Sequence, residues 1–303
     1  MDTVFVNGAT GFIGKALTKK LLQEGKTVYA IVRNKDKIIE LEQYGDLSPV
    51  VADLENISHL NTLIQDDDID VFYHLANYAR YPEDNQNYHV QLKNTELICD
   101  ALTEATKLNC KKYVLVGTSY QYQKNKNDSD QEYRSCSIYG SARLSAQVMC
   151  ETIAHLNKIK FNTALLTNCF GIGDYSSRST NSIIRTLLSG ESPKLIEGNN
   201  KHDWVYIDDL VDGLIAVGEA GKNFKTYYIG NRKLKTFREI IECVRDIINP
   251  DIELKFGTYS DSAYIDYSLI DLDALYNDTG FECKSDFNQS ILKTMEWIKF
   301  LDG

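Results

Sequence analysis

The chain has 303 residues, 43% hydrophobic and 25% charged, with a formal net charge of −10. That length supports one large α/β body or two lobes with substantial cores, in the composition range of a globular protein. The acidic balance argues against nucleic acid or an anionic membrane as the main partner, though not against an anionic small molecule in a local basic pocket.

The predicted elements alternate from the start. Residues 3–7 (TVFVN) form a short apolar run that ends in the glycine turn NGATGFIG, residues 7–14. Ile13, Leu17 and Leu21 then recur at helical spacing, and Gly25 is placed to stop the helix. TVYAIV (27–32) is β-branched and continuous, as expected of a strand buried on both faces. SPVVADL (48–54), DVFYHLA (70–76), KKYVLVGTS (111–119) and FNTALLTN (161–168) read as further strands. Helices are predicted around 56–66, 88–107 and 138–157. This alternation predicts an α/β fold, a doubly wound parallel sheet of Rossmann type. After residue 168 the rhythm loosens through GIGDYSSRSTN to HDWVYIDDLVDGL (202–214), then helices at 235–248 and 286–300. Residues 1–167 are expected to form a dinucleotide-binding domain to which 203–225 return. Residues 168–303 are expected to be mainly a smaller substrate lobe packed on the sheet.

Seven cysteines (Cys99, Cys110, Cys136, Cys150, Cys169, Cys243, Cys283) are scattered without a CxxC pair, which suits reduced thiols. The five histidines show no metal-binding spacing, so no metal site is expected. No signal peptide is apparent and no apolar run approaches the roughly 18 residues of a membrane span, so a cytoplasmic location and no membrane partner are expected.

The glycines have a physical use in this strand–turn–helix–strand setting. They present backbone amides with no side chain where a pyrophosphate must approach, and the following helix N-terminus adds partial positive charge. A turn that is glycine-rich only for packing is the alternative. An NAD site usually carries a carboxylate at the end of the second strand, about 20 residues on. Here the stretch reads Val32-Arg33-Asn34-Lys35, and Arg33 is placed to meet a 2′-phosphate. NADP(H) is favoured, with NAD(H) the alternative if Arg33 and Lys35 merely form a solvated turn. Asp53 is placed to accept from an adenine amino group.

NGATGFIG (7–14), ADL (52–54), HLA (74–76), VGTS (116–119), YGSAR (139–143), TNCFGIG (167–173) and HDWVYIDDL (202–210) occur in an order that resembles the extended short-chain dehydrogenase/reductase family. The resemblance covers nearly the whole chain and is strongest to the sugar-nucleotide branch, in particular to nucleotide-4-keto-6-deoxysugar C4-reductases of the CDP-paratose/abequose synthase type. It implies an NADPH-dependent reduction of a C4 ketone, with Tyr139 as proton donor, Thr118 binding the substrate oxygen, and Arg143 at the place of the family's lysine. Such a hydroxyl pair is chemically apt, because a carbonyl that accepts hydride develops negative charge. The dinucleotide would be held by Gly8, Thr10, Gly11, Phe12, Ile13, Gly14, Arg33, Asn34, Asp53, Leu54, Leu75, Ala76 and Asn77, together with Tyr139 and Arg143.

Arg143 departs from the family pattern, since a guanidinium does not readily give up a proton. It is compatible with a cofactor-holding cation in a working enzyme, with a slow enzyme, or with a non-catalytic NADP-binding sensor or scaffold. Tyr120 and Lys124 spell a second YxxxK, but in a polar stretch that reads as a loop. Dehydratases of the family place an Asp-Glu pair after the catalytic Thr; Ser119 and Tyr120 stand there instead, which argues against elimination. An epimerase remains the alternative to a reductase. For a nucleotide-sugar substrate the resemblance implies Asn168 at the diphosphate; Tyr78, Ser119 and Tyr120 are candidate pocket residues, and His202 stands where the family usually has an arginine. The family's diphosphate arginines are missing, and Arg178, Arg185, Lys194 and Lys201 are candidate substitutes. Family members often dimerise through two helices per subunit; 88–107 and 138–157 would supply them in a homodimer.

Overall fold

The computed structural model describes residues 1–64, 68–78, 82–126, 137–260 and 263–303. In chain order the first half runs β1 (Thr3–Asn7), α1 (Phe12–Gln23), β2 (Thr27–Val32), β3 (Leu47–Val51), α2 (Leu60–Leu63), β4 (Val71–His74), α3 (Tyr88–Lys107), β5 (Lys112–Thr118), β6 (Gln123–Asn125) and α4 (Ile138–Asn157). It continues with β7 (Lys160–Leu166), β8 (Asn168–Phe170), α5 (Ser179–Leu188), β9 (Lys201–His202), β10 (Trp204–Tyr206), α6 (Ile207–Ala220) and β11 (Lys225–Ile229). The chain ends with β12 (Lys235–Thr236), α7 (Phe237–Ile248), β13 (Ala263–Ile265), α8 (Ala274–Thr279) and α9 (Phe287–Asp302).

Seven strands make one sheet in the order β11-β7-β5-β4-β1-β2-β3, and every pairing within it is parallel. The order reverses between β1 and β4, and in such sheets ligands settle at the carboxyl ends of the strands around that reversal. Alternation along each strand builds two cores. On one face Val4, Val6, Leu17, Leu21 and Leu214 join a cluster that runs on into Phe170, Trp204 and Phe237 of the C-terminal elements. On the other, Phe5, Phe72, Tyr113 and Phe161 pack under α3 and α4.

Register explains a row of rings on the second face. Phe5 is the direct partner of Tyr29 and of Phe72, Phe72 of Tyr113, and Tyr113 of Phe161. Their centroids lie 4.9, 5.6, 5.1 and 6.3 Å apart and near-parallel. Each such pair contributes about 0.5–1.5 kcal/mol beyond its buried area.

The helix predicted at 56–66 is the clearest difference. Asp53 instead caps a 3₁₀ turn over Leu54–His59, and α2 adds a single α-helical turn. Of the cysteines, the six described ones are free thiols; Cys136 lies outside the described residues. No described helix is long and apolar enough to cross a membrane.

Candidate functional site

The glycine turn follows β1 at the carboxyl edge of the sheet. Gly8 holds φ at 92°, and a Cβ there would come within 2.8 Å of the Ala76 amide nitrogen. Gly14 lies so close to the turn that a Cβ would run into the Gly8 carbonyl oxygen. Gly11 differs: the nearest atom to its Cβ position is the Gly8 oxygen at 3.4 Å, an ordinary contact. It is the N-cap of α1 and supplies no capping side chain. The first amides of α1 therefore lack a cap, which is the arrangement an anion such as a pyrophosphate needs.

Beside the turn lies a cleft of about 240 Å³, lined by Asn7, Gly8, Thr10 and Gly11, by Ile31, Val32 and Arg33, by residues 52–55, and by Leu75, Ala76, Asn77 and Tyr78. The expected cofactor residues Gly8, Thr10, Gly11, Arg33, Asp53, Leu54, Leu75, Ala76 and Asn77 thus meet in one place. Tyr78, expected on the substrate, lines this cleft too, its amide donating to Asn94 Oδ1 at 2.9 Å. Arg33 is exposed and makes no hydrogen bond or ion pair with any described residue, so its charge is available at the rim. Glu55 was not foreseen; it lies one residue beyond the ADL motif. Asp53 already accepts from the Asn56 amide at 2.9 Å.

Six expected cofactor residues do not line this cleft: Phe12, Ile13, Gly14, Asn34, Tyr139 and Arg143. The Phe12 ring turns toward a separate groove with Gly173 and Tyr206. Ile13 packs its side chain against the core, and Gly14 acts in packing. Asn34 Oδ1 accepts from the Asp36 amide at 2.9 Å and caps its own turn.

Arg143 is placed differently from the role the resemblance implies. It is only 6% exposed, and its Nη2 donates to the Val116 carbonyl of β5. Burial first, and then the Arg143 charge, push His74 down to about 3, so that imidazole stays neutral. His74 Nδ1 meets Asn7 Nδ2 at 3.4 Å. Arg143 Nε and His74 Nε2 find no hydrogen-bond partner among the described residues. A long guanidinium on the inner face of α4 reaches the strand carbonyl before it can reach the cleft, and Arg143 is absent from the cleft lining.

Thr118 ends β5 and caps the 3₁₀ turn Ser119–Tyr122. Its Oγ1 accepts from the Tyr120 amide at 3.3 Å, which leaves the hydroxyl proton to donate. Tyr139, in the first turn of α4, is half-buried and meets Tyr120 edge-on at 6.3 Å. Ser119 is buried, with 2% exposure, and offers little to a substrate. The second YxxxK is disposed of by its lysine: Lys124 on β6 pairs with Asp266 at 2.6 Å, beside the β6–β13 ladder.

In the C-terminal elements, Asn168 Nδ2 and His202 Nδ1 lie 3.5 Å apart. Thr167 Oγ1 and Tyr267 Oη lie 3.2 Å apart, and Tyr228 donates to the buried Asp203 at 2.6 Å. Tyr267 and Tyr228 were not anticipated; only their aromatic character hinted at them. Arg185 is engaged by Asp302 of α9 at 2.8 Å, and Lys201 donates to the Leu234 carbonyl. Arg178 and Lys194 are exposed on the surface. No group of three metal-binding side chains occurs among the described residues.

Comparison with known proteins gives a consistent set. The family described as "NAD dependent epimerase/dehydratase family" matches residues 4–230. A UDP-glucuronate 4-epimerase from Thermodesulfobacterium geofontis is 22% identical over 99% of this chain and 97% of its own length. CDP-abequose synthase from Yersinia pseudotuberculosis is 23% identical over 84% and 88%. Among solved structures, the dTDP-glucose 4,6-dehydratase DesIV from Streptomyces venezuelae, with NAD bound, superposes with a TM-score of 0.81. It shares 18% identity over 98% of this chain and 97% of that one, a likeness of fold.

Proposed function

The chain belongs to the NAD dependent epimerase/dehydratase family, and from that premise we propose that it is an NADPH-dependent reductase of the C4 ketone of a nucleotide-linked 4-keto-6-deoxysugar. One observation carries the reading. The turn after β5, capped by Thr118, sets Tyr120 edge-on to Tyr139, and no acid–base pair follows Thr118 in the chain. Elimination of water needs such a pair; protonation of an alkoxide needs only the two hydroxyls.

The cleft suits a dinucleotide. Gly11 leaves room at an uncapped helix N-terminus, and Arg33, unpaired among the described residues, offers its guanidinium to a 2′-phosphate. When bound, a reduced nicotinamide dinucleotide supplies hydride to the ketone carbon. Tyr139 then gives its phenolic proton to the substrate oxygen, while the Thr118 hydroxyl donates to that oxygen and disperses its charge. Arg143 contributes its field from the core side of α4 rather than by touching the ribose. Asn168 and His202 are the side chains proposed to meet the nucleotide-sugar phosphates.

Two observations favour other readings. Asp53 and Glu55 share the cleft with Arg33, so carboxylates are at hand for an unphosphorylated ribose, as an NAD-dependent epimerase requires. Arg143 in place of lysine suits a binding protein without catalysis. Tyr88, Leu92, Val148, Met149 and Leu156 are exposed on α3 and α4, which supports the proposal of a homodimer through these helices.

The test is NADPH and NADH oxidation across a panel of 4-keto-6-deoxy nucleotide sugars. Consumption of NADPH with one member supports the reductase. Interconversion of C4 epimers without net dinucleotide turnover supports the epimerase, and tight binding with neither supports the sensor.

A further inference from the structure

Behind Thr118 runs a chain of buried side-chain amides that links β5 to α4 and β11. The Thr118 backbone N–H donates to Gln121 Oε1 at 3.1 Å, and Gln121 Nε2 donates to Gln147 Oε1 at 2.8 Å. Gln147 Nε2 in turn donates to Thr226 Oγ1 and to Glu151 Oε1, both at 2.9 Å. Gln121 is 1% exposed and Gln147 7%. The ends decide the direction of the chain. A backbone N–H only donates and a carboxylate accepts, so neither amide can flip without breaking two bonds. A buried amide left unpaired is costly, which holds both side chains in this one arrangement. Gly117 is the space that admits it: a Cβ there would stand 2.8 Å from Gln121 Oε1.

We infer that Gln147 is a positioning residue that acts through Gln121 to aim the Thr118 hydroxyl; this rests on reading Thr118 and Tyr139 as the proton-handling pair. The Thr118 oxygen accepts from the Tyr120 amide, and among the described residues nothing takes its proton. Its direction is therefore set by the turn Ser119–Tyr122. That turn is tied to α4 at two points, Tyr120 against Tyr139 and Gln121 against Gln147. The two α4 residues lie eight positions apart, about 12 Å along the helix. Loss of the second tie frees the turn to pivot on the first, and a misplacement of about 1 Å near a reacting atom can cost 10²-fold in rate.

The experiment compares Gln147→Leu, Gln147→Glu, Thr118→Val and the double variant Thr118→Val/Gln147→Leu. It reads kcat, the KM for the keto sugar nucleotide, and the dinucleotide dissociation constant by fluorescence titration. Gln147→Leu should lower kcat roughly 10- to 100-fold with dinucleotide affinity nearly unchanged. The double variant should be no slower than Thr118→Val, because the residue acts only through Thr118. Gln147→Glu still accepts from Gln121 but sets a carboxylate against Glu151. Its kcat relative to wild type should rise as pH falls and a shared proton restores the donor, a dependence that simple loss of packing would not give.

Full kcat in Gln147→Leu, or a loss that multiplies on top of Thr118→Val, overturns the inference. Should Gln147→Leu fail to fold, a Gln147→Glu variant whose relative kcat ignores pH overturns it equally. If Thr118→Val itself keeps full kcat, the proton-handling reading falls first and this inference with it. A slow Thr118→Val beside a normal Gln147→Leu removes only the inference.

Discussion

Substituting valine for Gly11 separates binding from folding at the glycine turn. Its backbone, at φ −78° and ψ 167°, is open to any residue. The first atom of a new side chain would meet the protein at 3.4 Å, so the fold need not move. The loss to the helix is that of replacing glycine by a poor N-cap, about 0.5–1 kcal/mol. The valine methyls instead enter the cleft that Gly11 lines, where phosphates would approach the amides of α1. Dinucleotide affinity should fall at least about 100-fold, or 2.7 kcal/mol. Gly14→Ala is the counterpart. Its Cβ would collide with the rigid Gly8 backbone, so it should cost about 1–3 kcal/mol of stability or more and lower Tm by several degrees. Fluorescence titration of NADPH, with circular dichroism and thermal melts on the same samples, checks both. A Gly11→Val protein that binds NADPH normally would refute the reasoning and leave the turn a packing device.

Arg33→Ala should weaken NADPH by about 1–3 kcal/mol and leave NADH nearly alone, since only the former offers a phosphate to the guanidinium; equal losses for the two in isothermal titration would count against it. Tyr139→Phe keeps the ring against Tyr120 and removes the proton, so turnover should drop about 10²- to 10⁴-fold in the NADPH assay while dinucleotide affinity survives. At the opposite edge of the sheet, burial tends to raise the Asp70 carboxyl. Lys111 and the amides of Asp2 and Thr3 outweigh it and hold the group at about 2. The folded state thus favours the ionised form, and this stability is present above the ordinary carboxylate range and lost as pH falls through 2. Asp70→Asn should cost about 1–2 kcal/mol at pH 7 in urea unfolding, after discounting for solvent, and the gap to wild type should close in acid.

Local physics made most of the scaffold legible. TVFVN and TVYAIV are strands because β-branched and aromatic side chains suit a pleat buried on both faces. The glycine turn was readable because strand, turn and helix signals lie within twenty residues of one another. Helices α3 and α4 followed from periodicity, and their ends match the expected 88–107 and 138–157. The helix expected at 56–66 failed because the Asp53 side chain, capping a 3₁₀ turn, competes with α-helical pairing over so short a segment.

What the local pattern could not determine is where long polar side chains end. Arg185 was a candidate for phosphate until the fold brought Asp302, 117 residues away, within 2.8 Å of it. Lys124 was set aside for the polar loop around it, yet its partner Asp266 comes from the other half of the chain. Arg143 reads as a cofactor ligand by position, but it faces the core because α4 lies close enough to β5 for the Val116 carbonyl to receive it. The same closeness joins Gln121 to Gln147, twenty-six residues apart and unremarkable in the sequence. A charge or an amide goes to the nearest unsatisfied partner, and which partner is nearest is decided only when the elements pack.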